Sequence, residues 1–535
     1  MFKLIYKNGA ASAKFDILSG LTVALALVPE AIAFAMAAGV PPLVGLYAAC
    51  IVGFITAAIG GRPGMISGAT GALAVVMIGL VSQGNALGKT LPEPVAHYGL
   101  IVLFATVILM GVIQLTAGIL RLGKFIRMVP HPVMLGFVNG LAIVIALAQF
   151  KQFKVLDNSG ELVWMSGIPL YIMIGLIIAT MLIIQLLPKL TRLLPSTLAA
   201  IIILSMVVIV FDLPALTVKD VLVNMTGDAD ATMGGALPVF SVPMIDLGWQ
   251  TLRLIVPYAF ILAAIGLIES LLTLTLIDEL TETHGQSNRE CVGQGVANIV
   301  TGFFGGMGGC AMIGQSMINI NSGGRTRLSG ISAAVFLLMF ILFAAPLIER
   351  IPVAVLIGVM FMVVIGTFEW ASLRLFGKVP VSDIFVTILV MVITVWLDLA
   401  IAVIVGVIVS ALIFAWQHAK QMVVRREYSK DGKTKIYKPQ GPLFFGSVKY
   451  FSEHFTPKDD PERVIIDFLD ARVVDHSGIE AIDALATRYE RRGKELHLRH
   501  LSPECHKLLT KAKGYVDIDK LTDPDYKIAD DLLDG

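Results

Sequence analysis

The chain has 535 residues, 56% hydrophobic and 15% charged, with a net charge of +1 and a mean hydropathy of +0.81; a soluble chain carries roughly 25% charged residues, so the apolar excess excludes a wholly soluble protein. Forty-one of the last 115 residues are charged against forty of the first 420, which divides the sequence into a polytopic membrane region and a small soluble domain. The near-neutral balance leaves no footprint for nucleic acid, and the scattered Cys50, Cys291, Cys310 and Cys505 lack the spacing of a zinc site or a disulfide framework.

In chain order, apolar runs near 18–37, 43–60, 66–82, 98–120, 133–151, 169–188 and 194–211 form a first set of predicted spans. Runs near 252–277, 290–304, 309–320, 328–347, 351–368, 381–396 and 398–418 form a second. The count is fourteen, seven plus seven. The runs at 66–82, 290–304 and 309–320 fall short of the ~20 residues that cross a bilayer, so they read as half-helices joined to irregular backbone that lines a cavity. With the N-terminus inside, inner loops carry eleven Lys/Arg, from Arg62 to Lys378, and outer segments six, including Lys89, Lys219 and Arg350. That bias places both termini in the cytoplasm. The segment 212–250 holds five Asp and the single basic residue Lys219, and it divides the two sets.

Each set has a glycine-rich entry to its third span: Gly64-Met-Ile-Ser-Gly-Ala-Thr-Gly71 in the first, Gly305-Gly-Met-Gly-Gly-Cys-Ala-Met-Ile-Gly314-Gln-Ser in the second. Matched interruptions of this kind point to a transport site in an inverted repeat. A basic linker is predicted at 421–437. Beyond it, Arg463 to Leu469 reads as a buried strand, Ser477 as the cap of a helix with apolar positions Ile479, Ile482, Leu485, Ala486 and Tyr489, Gly493 as its stop, and 495–499 as another strand. Ser502-Pro503 reads as the start of a further helix.

The stretch Val28-Pro-Glu-Ala-Ile-Ala-Phe-Ala-Met-Ala-Ala-Gly-Val-Pro-Pro-Leu-Val-Gly-Leu-Tyr47 resembles the first-span signature of the sulfate permease (SulP) family of anion transporters. The tail, with Gly441-Pro-Leu-Phe-Phe-Gly446 and Asp475-His-Ser-Gly478, resembles the STAS domain attached to them. The resemblance implies a polytopic α-helical membrane protein of fourteen spans in a seven-plus-seven inverted repeat, followed by a small cytoplasmic α/β domain. Its domains are then a transport region at 1–420 (repeats about 14–211 and 250–420), the linker at 421–437 and a STAS-like domain at 438–530. It further implies a multi-pass protein of the bacterial inner membrane, a homodimer, a cytoplasmic protein partner at the STAS domain, and an anion bound between the facing N-termini of the third and tenth spans.

Two half-helix N-termini aimed at one point offer unpaired N–H groups and about half a positive charge each. The predicted substrate-binding residues are Gly68, Ala69, Thr70 and Gly71 facing Cys310, Ala311, Met312 and Ile313, with Glu30 and Gln315 beside them. A carboxylate at the bilayer centre costs at least ~2.5–3.5 kcal/mol and is functional by default. Glu269 matches the family's acidic position near the substrate, implicated in sodium binding in the bicarbonate symporters that this region resembles; with Thr273 and Glu30 it is assigned to the coupling ion. Glu30 departs from the family's usual glutamine, and Gln315 stands where animal exchangers often carry arginine. The missing positive charge favours a co-transported cation: a dianion entering against 100 mV costs about 4.6 kcal/mol. The expected activity is sulfate uptake by proton or sodium symport, with no cofactor beyond the coupling H+ or Na+. Alternatives are a sodium-coupled bicarbonate symporter and an anion-sensing membrane signalling protein acting through its STAS domain, with Ser477 as the regulatory residue. No nucleophile–base pair, phosphate loop or metal cluster suggests an enzyme.

Overall fold

The computed structural model describes residues 10–501 apart from 91–94, 96, 125–129, 157–161, 191–195, 227–231, 234–236, 247, 375–376, 398, 420–421 and 430–432. The predicted helix at Ser502-Pro503 lies outside the described residues. The chain forms two units, Met1–Val407 and Ile408–Gly535.

The first half of the first unit runs α1 (Ala10–Ala38), α2 (Pro42–Ile59), β1 (Ser67–Ala69), α3 (Gly71–Gly88), α4 (Tyr98–Ile119), α5 (His131–Gln149), β2 (Lys154–Leu156), β3 (Leu162–Trp164), α6 (Ile168–Leu190), α7 (Ser196–Val210) and α8 (Val218–Thr226). The second half runs α9 (Trp249–Thr281), α10 (Ser287–Phe303), β4 (Gly309–Ala311), α11 (Ile313–Asn321), α12 (Arg327–Phe343), α13 (Ala345–Glu349), α14 (Val353–Thr367), α15 (Ala371–Arg374), α16 (Val381–Trp396) and α17 (Leu399–Ala419), the last reaching into the second unit.

Every apolar run picked out above contains a helix. Among the described residues eight helices are long and apolar enough to cross a membrane, by length and composition. In hydrocarbon each backbone polar group needs an internal partner, which favours helices. Proline sits at or just before the first turn of α2, α5, α14 and α16, where its missing N–H costs nothing. Buried hydroxyls hide on their own helices: Thr56, Thr106, Thr180, Thr301 and Thr394 each donate to the carbonyl four residues earlier at 2.7–2.8 Å.

The two glycine-rich entries become a strand followed by a helix in each half. β1 and β4 pair antiparallel, with Ser67 opposite Ala311, Gly68 opposite Cys310 and Ala69 opposite Gly309. Gly64 (φ +81°) and Gly305 (φ +68°) precede the two strands in the left-handed region, which a side chain would strain. At the crossing itself a Cβ on Gly309 would stand 2.6 Å from the Gly68 carbonyl oxygen, so only glycine lets the strands approach.

The second unit adds β5 (Val423–Tyr428), β6 (Thr434–Leu443), α18 (Val448–Glu453), β7 (Arg463–Asp467), β8 (Ala471–Val473), α19 (His476–Glu490) and β9 (Glu495–Arg499). The sheet order is β5-β6-β7-β9, with β8 also on β6; β5 is antiparallel to β6 and the other pairs are parallel. Tyr437, Phe451, Ile466, Phe468, Leu485 and Tyr489 lie in its core. Two expectations change here. The predicted linker 421–437 supplies β5 and the start of β6, because alternate residues of β6 turn inward, Lys435 among them. The cap of α19 is Asp475, whose Oδ1 accepts the Gly478 N–H at 3.0 Å; Ser477 stands inside the first turn with its side chain half-buried.

Candidate functional site

The β1–β4 ribbon is three residues wide on each side, so most of its backbone groups face other elements rather than a strand. Buried backbone donors and acceptors without partners cost about 1–3 kcal/mol each, and here side chains satisfy them. On β4, Asn298 of α10 takes both groups of Gly309: its Oδ1 accepts the Gly309 N–H at 2.8 Å and its Nδ2 donates to the Gly309 carbonyl at 3.0 Å. Ser270 of α9 accepts the Ala311 N–H at 3.0 Å. Ahead of β1, Ser316 of α11 accepts the Ile66 N–H at 2.9 Å, and the Met312 N–H donates to the Ile66 carbonyl at 2.9 Å. Gln294 donates to Ser67 Oγ at 2.9 Å, and Asn319 to the Gly64 carbonyl at 2.8 Å.

These bonds correct the predicted anion donors. The N–H groups of Ala311 and Met312 are spent on Ser270 and Ile66, and Gly68 and Cys310 face each other across the ribbon. The unspent donors lie further along the chain, in the first turns of α3 and α11. The opening N–H groups of a helix have no intrahelical partner, and neither cap residue, Thr70 nor Met312, supplies one from its side chain. The two ends differ in access. Gly71 is closed in: a Cβ there would meet Ile145 and Phe34 at 2.7 and 2.8 Å. Gly314 is exposed, and a Cβ there would meet nothing within 4 Å.

Glu269 of α9 reaches the ribbon. Cys310 Sγ donates to Glu269 Oε2 at 3.0 Å and lies 3.2 Å from Thr70 Oγ1. Glu269, Cys310 and Thr70 so form one polar cluster from α9 across β4 to the cap of α3. Thr273 sends its hydroxyl proton to the Glu269 carbonyl at 2.8 Å, which leaves only its lone pairs for a cation.

Glu30 and Gln315, which read as two unrelated departures from the family pattern, stand on α1 and α11, two helices that pack together. Both are buried, and Gln315 Oε1 has no partner. One turn beyond Glu30, Phe34 lies with Ile145 over Gly71.

Sequence reasoning did not single out Ser270 or Ser316; Gln294, Asn298 and Asn319 hydrogen-bond between elements. A usable signal existed on α10, where Glu290, Gln294 and Asn298 recur every four residues on one buried face. Glu290 accepts the Gly61 N–H at 2.7 Å and the Gln294 amide at 2.8 Å, extending that polar face to the loop ahead of β1. Asp278 pairs with Arg62 at 3.2 Å and accepts the Gly285 N–H at 2.9 Å. Burial lowers the Arg62 guanidinium below its ordinary range, and Asp278 opposes that shift. Glu279 is exposed, as is His131 at the start of α5.

The family model described as the sulfate permease family matches residues 14–391, and that of the STAS domain matches 425–521. YbaR of Bacillus subtilis, named for sulfate transport, is 41% identical over 495 residues, 92% of this chain and 96% of that protein. The bicarbonate transporter BicA of a Picosynechococcus strain is 31% identical over 504 residues, 89% of this chain and 86% of that one. Among solved structures, the murine Slc26a9 anion transporter in its inward-facing state superposes with a TM-score of 0.76 at 16% identity, over 95% of this chain and 88% of that one, a likeness of fold.

Proposed function

The chain belongs to the sulfate permease family of anion transporters, a helical membrane protein with a C-terminal STAS domain, and from that premise we propose that it takes up sulfate by symport with protons or sodium ions. In this reading the fourteen helical segments are two inverted sets of seven, and the anion sits before the first turns of α3 and α11. The observation that carries the proposal is the β1–β4 ribbon, which aims those two turns at one place and ties Glu269 to it through Cys310. Two carboxyls, Glu30 and Glu269, lie at the site, one for each cation needed to balance a dianion. That balance removes about 4.6 kcal/mol of work against 100 mV.

A second reading, sodium-coupled bicarbonate uptake, is supported by the likeness to BicA. Uptake of labelled sulfate and labelled bicarbonate into proteoliposomes, under imposed proton or sodium gradients, separates the two. The expected result is sulfate accumulation driven by a cation gradient and lost in Glu269→Gln, while exchange of internal for external sulfate persists. Sodium-driven bicarbonate accumulation would favour the second reading. Failure of both anions to enter under any gradient would refute both.

A further inference from the structure

We propose that the cavity bounded by the loop ahead of β1, the end of α9 and the turn after α11 is a second oxyanion site, which takes a phosphate group between Arg62 and Arg325. None of its lining residues belongs to the β1–β4 ribbon or to the first turns of α3 and α11. The site is therefore separate from the transport site and independent of which anion is carried.

The starting observation is a cavity of about 530 Å³ bordered by two guanidinium groups and an imidazole, those of Arg62, Arg325 and His284. Small-molecule sites run from roughly 300 to 1,000 Å³. Arg62 is 6% exposed and held from behind: its Nη2 donates to the Ile277 carbonyl at 3.1 Å, to Thr283 Oγ1 at 2.7 Å and to Thr281 Oγ1, and its Nε faces Asp278 at 3.2 Å. Its Nη1 has no partner among the described residues. Arg325 is exposed, and its Nη1 donates to the carbonyls of Ile320 at 2.6 Å and Gly324 at 3.3 Å. Its Nε and Nη2, and the ring of the exposed His284, are likewise without partners among the described residues. Each guanidinium is thus fixed by protein oxygens and keeps N–H groups for the cavity that both border. Guanidinium forks match the paired oxygens of phosphate, and such charge-assisted bonds are about twice as strong as neutral ones. A phosphate has oxygens enough to bridge two forks and an imidazole N–H; a carboxylate has two. The volume also leaves room for what a phosphate ester carries, and the half-exposed Leu280 gives it an apolar edge. Glu282, at the C-cap of α9, is the carboxylate among the lining residues, and its charge holds the affinity down.

The cavity stands where three elements that frame the ribbon end. Pro63 runs into Gly64 and on to β1. Ile320 is in the last turn of α11, beside Asn319, which holds the Gly64 carbonyl at 2.8 Å. Thr281 closes α9, whose Glu269 meets Cys310 of β4. A phosphate bridging Arg62 and Arg325 ties the approach of β1 to the end of α11, and so adds to the bonds that keep the ribbon in one piece.

The test uses the full chain in nanodiscs and reads the modification of each arginine by phenylglyoxal through peptide mass spectrometry. One arm adds inorganic phosphate to phosphatidylcholine discs; the other includes phosphatidic acid in the discs and adds no phosphate. Arg325 should be protected saturably, while Arg289, exposed outside the cavity, should react as before. Protection by inorganic phosphate supports the site with a free anion as its occupant, and protection by phosphatidic acid alone supports it with a lipid headgroup. His284→Gln should raise the half-protecting amount about tenfold, the worth of one hydrogen bond to a charged group, and Glu282→Gln should lower it. Both side chains are exposed, so either change spares the fold. Equal modification of Arg325 in both arms with and without the phosphate group overturns the proposal. So does protection that neither variant shifts, or that extends equally to Arg289.

Discussion

Asn298 makes the most quantitative claim. Its side chain holds the Gly309 N–H and C=O, donates to Gln114 Oε1 at 2.8 Å and reaches the Gln294 carbonyl at 3.1 Å. Asn298→Leu preserves approximate volume and removes every one of these bonds. The Gln294 carbonyl already serves its own helix, so the loss falls on three groups: two backbone groups of Gly309 and one amide oxygen. At about 1–3 kcal/mol for each orphaned buried group, the sum is roughly 3–9 kcal/mol. Interhelical hydrogen bonds in bilayers average only ~0.6 kcal/mol, because the unfolded chain finds other partners there, and that lowers the floor to about 2 kcal/mol. The assay is reversible unfolding of the purified chain in mixed micelles, with Ser316→Ala as the smaller counterpart on the β1 side. A loss of 2 kcal/mol or more is expected for Asn298→Leu, with loss of anion transport. Less than about 1 kcal/mol, with transport intact, would mean that the ribbon does not depend on side-chain partners for its outer edge.

Two glycines near the ribbon should part company. Gly309→Ala drives a Cβ onto the Gly68 carbonyl oxygen at 2.6 Å and is expected to cost about 1–3 kcal/mol and abolish transport, whereas Gly314→Ala meets open space and should keep or raise thermal stability; a slowed anion uptake in the second variant would place the anion before α11, and unaltered uptake would move it elsewhere. In the second unit, burial would raise the Asp460 carboxyl, but Lys435 Nζ at 2.6 Å, the hydroxyls of Tyr489 and Tyr437, and Thr456 outweigh it and hold the carboxyl below its ordinary range. Burial likewise opposes the charge on Lys435, and the same hydrogen bonds to Asp460 and Tyr437 hold the ammonium above its usual range. A depressed carboxyl stabilises the fold above its unfolded pKa of about 3.9 and ceases to do so as pH falls through the folded value; a raised lysine stabilises below about 10.4 and ceases above its folded value. Unfolding of this unit followed against pH should show no loss from the pair between these limits and a decline on the acid side. Asp460→Asn should cost about 3–5 kcal/mol at neutral pH and flatten that acid decline; an unchanged acid limb in the variant would show that other carboxyls set it.

The helical segments were legible because lipid enforces long apolar runs punctuated by glycine, proline and charge; the short run at 66–82 misled, because its helix α3 runs on to Gly88 and is among the eight long and apolar enough to cross a membrane. The strands inside the two glycine-rich entries were not legible. Three residues of Ser-Gly-Ala or Gly-Cys-Ala carry no periodicity, and their pairing depends on contact between halves that are far apart in the chain. The same distance hid how Glu30 and Gln315 relate: each looked like an isolated exception, and only the packing of α11 on α1 brings their helices together. At the tail, composition misled for a physical reason: Lys435 made β6 look like a basic linker, yet it points inward because Asp460 is there to meet it. Ser477 was read as a cap because serine is a good one, but the aspartate two residues earlier starts the helix instead and accepts the Gly478 N–H.

The bonds around the ribbon also bear on how such a site can move. β1 belongs to the first half of the chain, yet the groups that hold its approach come from the second: Ser316 and the Met312 N–H on Ile66, Gln294 on Ser67, Asn319 on the Gly64 carbonyl. β4 is held by Asn298 and Ser270, again from the second half. Drawing the two half-helices apart would orphan several of these buried groups together, at about 1–3 kcal/mol each, besides the strand pairing itself. A transport cycle that opened the site by separating α3 from α11 would therefore climb a steep barrier at every turnover. Carrying β1, β4, α3 and α11 as one body costs none of those bonds, so motion in this region is expected to leave the ribbon whole and to shift other helices against it. The ribbon thus holds the half-helices to one geometry, whereas Gly314 borders open space.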